Sequence, residues 1–93
     1  MIIELKKFGT MLVSRQSGRE AYLAFLPSLR EMKAGEKIDI NFDGVITFSP
    51  SWGDEFLRPL LEEYGERLRL LDTNNSSVIA SLDIIGRPNQ TRR

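Results

Sequence analysis

The sequence contains no cysteine and no histidine. Without cysteine there is no disulfide framework, no cysteine-ligated zinc or iron–sulfur site and no thiol nucleophile. Without histidine the usual general base near neutral pH and the commonest metal ligand are missing, so neither a metal site nor a cofactor is expected. Net charge is missing too. Thirteen basic residues balance thirteen acidic ones, which argues against strong non-specific attraction to nucleic acid or to an anionic membrane. No apolar run approaches the roughly 18 residues a membrane span needs. The start, Met1 to Lys7, shows no long apolar core followed by a small-residue cleavage site, so no secretory signal is read there. The cytoplasm is the expected location.

What is present is ordinary globular material. A hydrophobic share of 41% beside 28% charged residues excludes wholesale disorder. Ninety-three residues leave room for one domain, placed at residues 1–86. Residues 87–93 have no apolar side chain suited to a core and are expected to be a flexible basic tail. The charge balance hides an uneven distribution. Residues 1–37 hold seven basic and four acidic groups, residues 38–86 three and nine, and residues 87–93 three and none. The centre is an acidic block between two basic ends, which reads as solvated faces or as a docking surface for a basic partner.

Periodicity supplies the elements. Ile2 to Phe8 alternates, with Ile3 and Leu5 opposed to Glu4 and Lys6, and predicts a half-buried strand. Met11 to Val13 is a second apolar run, placed to form a hairpin with the first. Ser17 to Glu20 fits a capping box. After it, Tyr22, Phe25, Leu26, Leu29 and Met32 form one helical stripe ended by Gly35. Pro27 inside that stripe predicts a kink or a split. Lys37 to Asp43 alternates as a strand, with Ile38, Ile40 and Phe42 opposed to Asp39, Asn41 and Asp43. A second helix starts either at Ser49 followed by Pro50, or at Ser51 with Asp54 three residues on. Its stripe is Trp52, Phe56, Leu60 and Tyr64, again with a proline, Pro59, inside. Glu66 to Asp72 reads as a fourth strand. Val78, Ile79, Leu82 and Ile85 mark a last short helix before Gly86.

Strands alternating with helices predict parallel pairings and right-handed crossovers. A sheet covered on both faces would have strands apolar throughout. These strands alternate, so the helices are expected on one face only. The expected fold class is α/β: a two-layer domain with a four-stranded, mostly parallel mixed sheet and about three helices on one side. On the open face, Asp39, Asn41 and Asp43 are expected near Arg67 and Arg69 of a neighbouring strand.

The stretch Ile38 to Leu61 resembles the signature of STAS domains, and more closely that of the bacterial STAS-like domains of unknown function. Asn41-Phe42-Asp43-Gly44-Val45 is similar to that family's strand-ending turn. Ser49-Pro50-Ser51-Trp52-Gly53-Asp54-Glu55 is similar to its helix start. Arg15-Gln16-Ser17-Gly18 matches an Arg-x-x-Gly step at its first helix. The resemblance covers most of residues 9–82. It implies a mostly parallel sheet with helices packed on one side, which agrees with the alternation argument. It also implies a distant likeness to anti-sigma-factor antagonists, which are not enzymes. They bind a kinase-like ATPase partner that phosphorylates a serine at a helix start. An ungapped match puts Ser49 where that family has aspartate, Pro50 where it has the phosphorylated serine, and Ser51 at the neighbouring serine. Proline accepts no phosphate, so Ser49 or Ser51 takes the role or both only cap the helix.

The residues leave several roles open. Trp52 is either an interface anchor or, facing Phe42 and Phe56, part of the core. Asp54 and Glu55 are adjacent carboxylates expected in the first turn of the second helix, where the helix dipole favours negative charge. Arg15 either binds phosphate, clamps a carboxylate or holds the acidic 43–55 loop. The leading expectation is a non-enzymatic regulatory module that binds a protein partner through Ser49, Ser51, Trp52, Asp54 and Glu55, with Arg15 and Asp43 in support. The partner is a kinase-like ATPase or another regulatory protein. A small enzyme or nucleotide-binding domain built on Arg15, Asp43 and Asp54 is the first alternative. A subunit that self-associates as a homodimer across its polar sheet face is the second.

Overall fold

In a computed structural model that describes residues 1–86, the strands are short and all paired in parallel. The order along the chain is β1 (Ile2–Glu4), β2 (Met11–Leu12), α1 (Arg15–Arg30), β3 (Ile38–Asn41), β4 (Thr47–Phe48), α2 (Pro50–Tyr64), β5 (Leu68–Leu70) and α3 (Ser76–Ile85). β1, β3 and β5 form a three-stranded sheet with β3 central, and β2 pairs with β4 as a separate two-stranded sheet. The α/β class and the three helices are as expected. The single four-stranded mixed sheet is corrected to two small parallel sheets.

The hairpin between the first two strands does not form. Instead the segment 2–12 runs beside the segment 38–48, and both break at the same level. Leu5–Phe8 turns as a 3-10 helix, with Leu5 buried and Gly9 at a φ of 128°. Opposite it, the Asn41 side chain accepts the Asp43 amide at 3.0 Å, a local turn that competes with the strand ladder. Gly44 follows at a φ of 87°, and a Cβ there would meet the Lys6 side chain at 2.9 Å. The two breaks therefore fit over each other, and parallel pairing resumes beyond them.

In the three-stranded sheet Ile3, Ile38, Ile40 and Leu68 are buried on one face. None of Ile2, Glu4, Asp39, Asn41 and Arg69 is buried on the other. Asp39 lies directly opposite Arg69 in the register, and the guanidinium grips both carboxylate oxygens at 2.6 and 3.0 Å. This is the cross-strand pair the alternation predicts. Arg67 does not join it: its Nε donates to the Glu36 carbonyl and its guanidinium lies over the Tyr64 ring.

The first helix starts three residues before the expected capping box. Ser14 is its N-cap, accepting the Ser17 amide at 3.0 Å. Neither proline splits its helix. Pro27 and Leu23, whose carbonyl the ring crowds, are both exposed on the solvent side of α1, where a bend costs no core packing. The five phenylalanines, Tyr22 and Trp52 form one continuous chain of ring contacts through the core. Trp52 stacks on Phe56 at 5.0 Å and meets Phe48 edge-on at 5.8 Å. The tail expected at residues 87–93 lies outside the described residues.

Candidate functional site

The sequence-predicted site residues gather where the first turns of α1 and α2 meet, with Asp43 as the exception. Ser49 is the N-cap of α2 and Pro50 takes the first helical position, so the first of the two expected starts is the one used. The Ser49 hydroxyl is engaged twice. It donates to the Val13 carbonyl at 2.6 Å and accepts the Trp52 amide at 3.2 Å. The Ser49 amide also donates to the Leu12 carbonyl at 3.0 Å. This hydroxyl ties the end of β2 to the start of α2.

Ser51 is the second residue of the helix, partly exposed, and its hydroxyl has no hydrogen-bond partner among the described residues. It does not cap with Asp54. Because α2 starts at Pro50, Asp54 and Glu55 fall in its second turn, not its first, where the dipole's pull has already weakened. Their partner is an arginine. One Arg15 Nη1 donates to Asp54 at 2.9 Å and to Glu55 at 2.8 Å. Arg58, one turn further along α2, donates to the other oxygen of Asp54. Adjacent carboxylates on a helix diverge, and a guanidinium reaching across from α1 spans both.

One turn of α1 makes two different contacts with α2. Arg15 carries the ion pairs. Three residues on, Gly18 packs on the backbone of Trp52, where a Cβ would lie 2.6 Å from the Trp52 carbonyl oxygen. Trp52 itself is only 1% exposed. It belongs to the core, and the interface-anchor reading is set aside.

Asp43 is not brought to Arg15 and Asp54. It lines an open depression of about 430 Å³ with Asp72, Thr73 and Asn74, beyond the C-terminal ends of β3 and β5. No group of three or more potential metal-ligating carboxylates occurs among the described residues, and no described helix is long and apolar enough to cross a membrane.

Sequence reasoning missed two features. Arg58 was legible, since it stands four residues from Asp54 on one helix face. The seal on the outer edge of β4 was not. The Asn75 amide donates to the Val45 and Ile46 carbonyls at 2.8 and 3.1 Å. Ser77 Oγ accepts the Phe48 amide at 3.1 Å and Ser81 Oγ donates to the Phe48 carbonyl at 2.9 Å. Polar side chains of a helix thus take the place of a neighbouring strand, which keeps that edge from pairing elsewhere.

The ion pairs set the response to acid. Hydrogen bonding by Arg15, then by Arg58, holds the Asp54 carboxyl below its ordinary value, and hydrogen bonding by Arg69 does the same for Asp39. A carboxyl depressed in the folded state stabilises the fold above its unfolded pKa, and that contribution is lost as pH falls through the folded value. The urea midpoint is therefore expected to hold steady from about pH 7 to about pH 5 and to fall below about pH 4. Asp39→Asn and Asp54→Asn should each flatten that acid limb. An unchanged slope in both variants would remove these pairs from the account.

Compared with protein-family models, curated proteins and solved structures, the chain finds no match in any of the three.

Proposed function

We propose that the chain is a non-enzymatic regulatory module of the STAS-like type that binds a protein partner, and that Ser51 is its phosphate acceptor. One observation carries the choice of serine. The Ser49 hydroxyl is committed to Val13 and Trp52, while the Ser51 hydroxyl stands uncommitted in the first turn of α2. Phosphorylating Ser49 would break two hydrogen bonds that join β2 to α2. Phosphorylating Ser51 breaks none, and places negative charge at a helix N-terminus where the dipole favours it. The same phosphate stands three and four residues from Asp54 and Glu55, on the same side of the helix. It competes with them for Arg15, so the modification changes how α1 is held against α2. A kinase-like ATPase is the partner chemistry that suits such a switch.

The test is incubation with ATP and a candidate kinase, read by intact mass and partner binding. The wild type should gain one phosphate. Ser51→Ala should gain none, and Ser49→Ala should still gain it while losing about 0.5–2 kcal/mol of stability with its cap. A phosphate that persists in Ser51→Ala, or partner binding indifferent to it, would sink the proposal. The nucleotide-binding alternative fits less well. Arg15 is occupied by two carboxylates, and Asp43 stands in a different depression.

A further inference from the structure

Side chains of α3 seal the outer edge of β4, but nothing comparable covers the outer edge of β5 among the described residues. The Leu71 amide donates to the Ile40 carbonyl at 2.9 Å, and Arg69 lies opposite Asp39 in the same ladder. Successive residues of a strand turn their amide and carbonyl to opposite sides. Arg69 and Leu71 therefore face β3, and Leu70 faces away from it. The Leu68 amide closes the preceding turn on the Gly65 carbonyl. No described residue takes the Leu70 amide, the Leu70 carbonyl or the Leu68 carbonyl. β1, at the other end of the sheet, carries Glu4 with Lys6 beside it at 3.8 Å, the charged kind of edge that resists pairing.

Beside the β5 edge lies a small apolar crevice lined by Leu57, Leu61, Leu68, Leu70, Ile85 and Gly86. An unpaired strand edge next to apolar pockets is how a sheet accepts an extended peptide. Main-chain hydrogen bonds hold the peptide and the pockets select its alternate side chains. Charge says which peptide fits here. Glu62 follows Leu61 on α2, Glu66 precedes β5 and Asp72 follows it, and all three are exposed. None of the three has an ion-pair partner among the described residues. Of the two arginines in this segment, Arg69 is neutralised by Asp39 and Arg67 is turned onto the Tyr64 ring.

We propose that the outer edge of β5 binds an extended segment of a partner protein, apolar at alternate positions and flanked by lysine or arginine. A second copy of the chain suits this edge less well. Antiparallel pairing of two β5 strands lays the Glu66 end of one against the Asp72 end of the other, and like charges facing each other are destabilising. Ser51 stands at the opposite end of α2 from Leu61, so this docking does not depend on the phosphate acceptor.

The probe is a short capped peptide of alternating leucine and threonine with lysines at both ends, titrated into the full chain. In the free chain the Leu70 amide should exchange with deuterium fast, while the Leu71 amide, already bonded to Ile40, is protected. Bound peptide should slow Leu70 exchange at least about tenfold and leave Leu71 unchanged. Glu66→Lys and Asp72→Lys together should weaken the basic peptide at least about tenfold and strengthen the same peptide with glutamate ends. Both positions are exposed, so this variant keeps the fold. Leu70→Pro removes an outward amide without touching the ladder to β3, a change that edge strands tolerate, and should abolish binding. If Leu70→Pro fails to fold, the charge reversal still decides. A Leu70 amide already protected in the free chain overturns the proposal, because the edge is then covered by the chain itself or by a second copy. So do an absence of binding up to about 1 mM, a complex that leaves Leu70 unprotected, or an affinity indifferent to the charge reversal.

Discussion

Trp52→Ala is expected to cost about 3–5 kcal/mol, the largest loss available from any single side chain here. Trp52 is almost wholly enclosed, stacked on Phe56 and touching Phe48 and Phe8. Those rings come from three separate elements, the 3-10 turn, β4 and α2 itself, so the surroundings cannot close over the cavity by moving one element. A domain of this size holds in total about 5–14 kcal/mol. The variant should therefore be partly unfolded at room temperature or show a much lower urea midpoint. Trp52→Phe keeps most of the ring and should recover over half of the loss. If Trp52→Ala unfolds at the wild-type midpoint, the tryptophan is not a core residue.

The second large effect is expected from the smallest change, Gly18→Ala. In an ordinary helix this substitution stabilises by about 1 kcal/mol, because glycine is the poorer helix former. Here the added carbon would lie 2.6 Å from the Trp52 carbonyl oxygen and 3.0 Å from its Cα. Both are backbone atoms, so no side-chain rotation relieves the clash and α1 must move away from α2. Overpacking of that kind costs about 3 kcal/mol at the upper end, leaving a net loss of about 2 kcal/mol. The sign is the diagnostic. A stabilised Gly18→Ala would mean that the two helices are not in contact at this point. The shift should also lengthen the Arg15 pairs with Asp54 and Glu55, so the variant's response to acid should weaken with its stability.

The strand and helix content was legible because burial imposes a period. Ile38, Ile40 and Phe42 are buried at alternate positions, as their spacing predicts, and the same alternation left Asp39 facing Arg69. The start of α2 was legible as well, since a serine followed by proline suits both the capping hydrogen bond and the missing amide. The start of α1 was misplaced. Ser14 and Ser17 are both competent caps three residues apart, and only the contact of Gly18 with Trp52 requires the helix to have begun already. The apparent hairpin failed for a related reason. Two short apolar runs separated by Gly9 and Thr10 are compatible with pairing to each other or to another segment. The 3-10 turn that buries Leu5 resolved this in favour of β4.

The candidate site divides in the same way. The sequence placed Ser49, Ser51, Asp54 and Glu55 within one helix start, and it offered Arg15 as a cation for a carboxylate. It did not distinguish the two serines. Their difference lies in the Val13 carbonyl, thirty-six residues away in the chain, which occupies one hydroxyl and leaves the other uncommitted.

By itself, then, the sequence determined the α/β class, the one-sided burial of the strands, and the residues from which a site would be drawn. These follow from local propensity and from a period that each segment carries alone. Only the tertiary structure decided which strands pair, which sheet edge stays uncovered and which serine keeps a spare hydroxyl. Each of those depends on contacts between segments far apart in the chain. The missing histidine and cysteine narrowed the chemistry from the outset, but how the remaining groups are partnered was settled by packing.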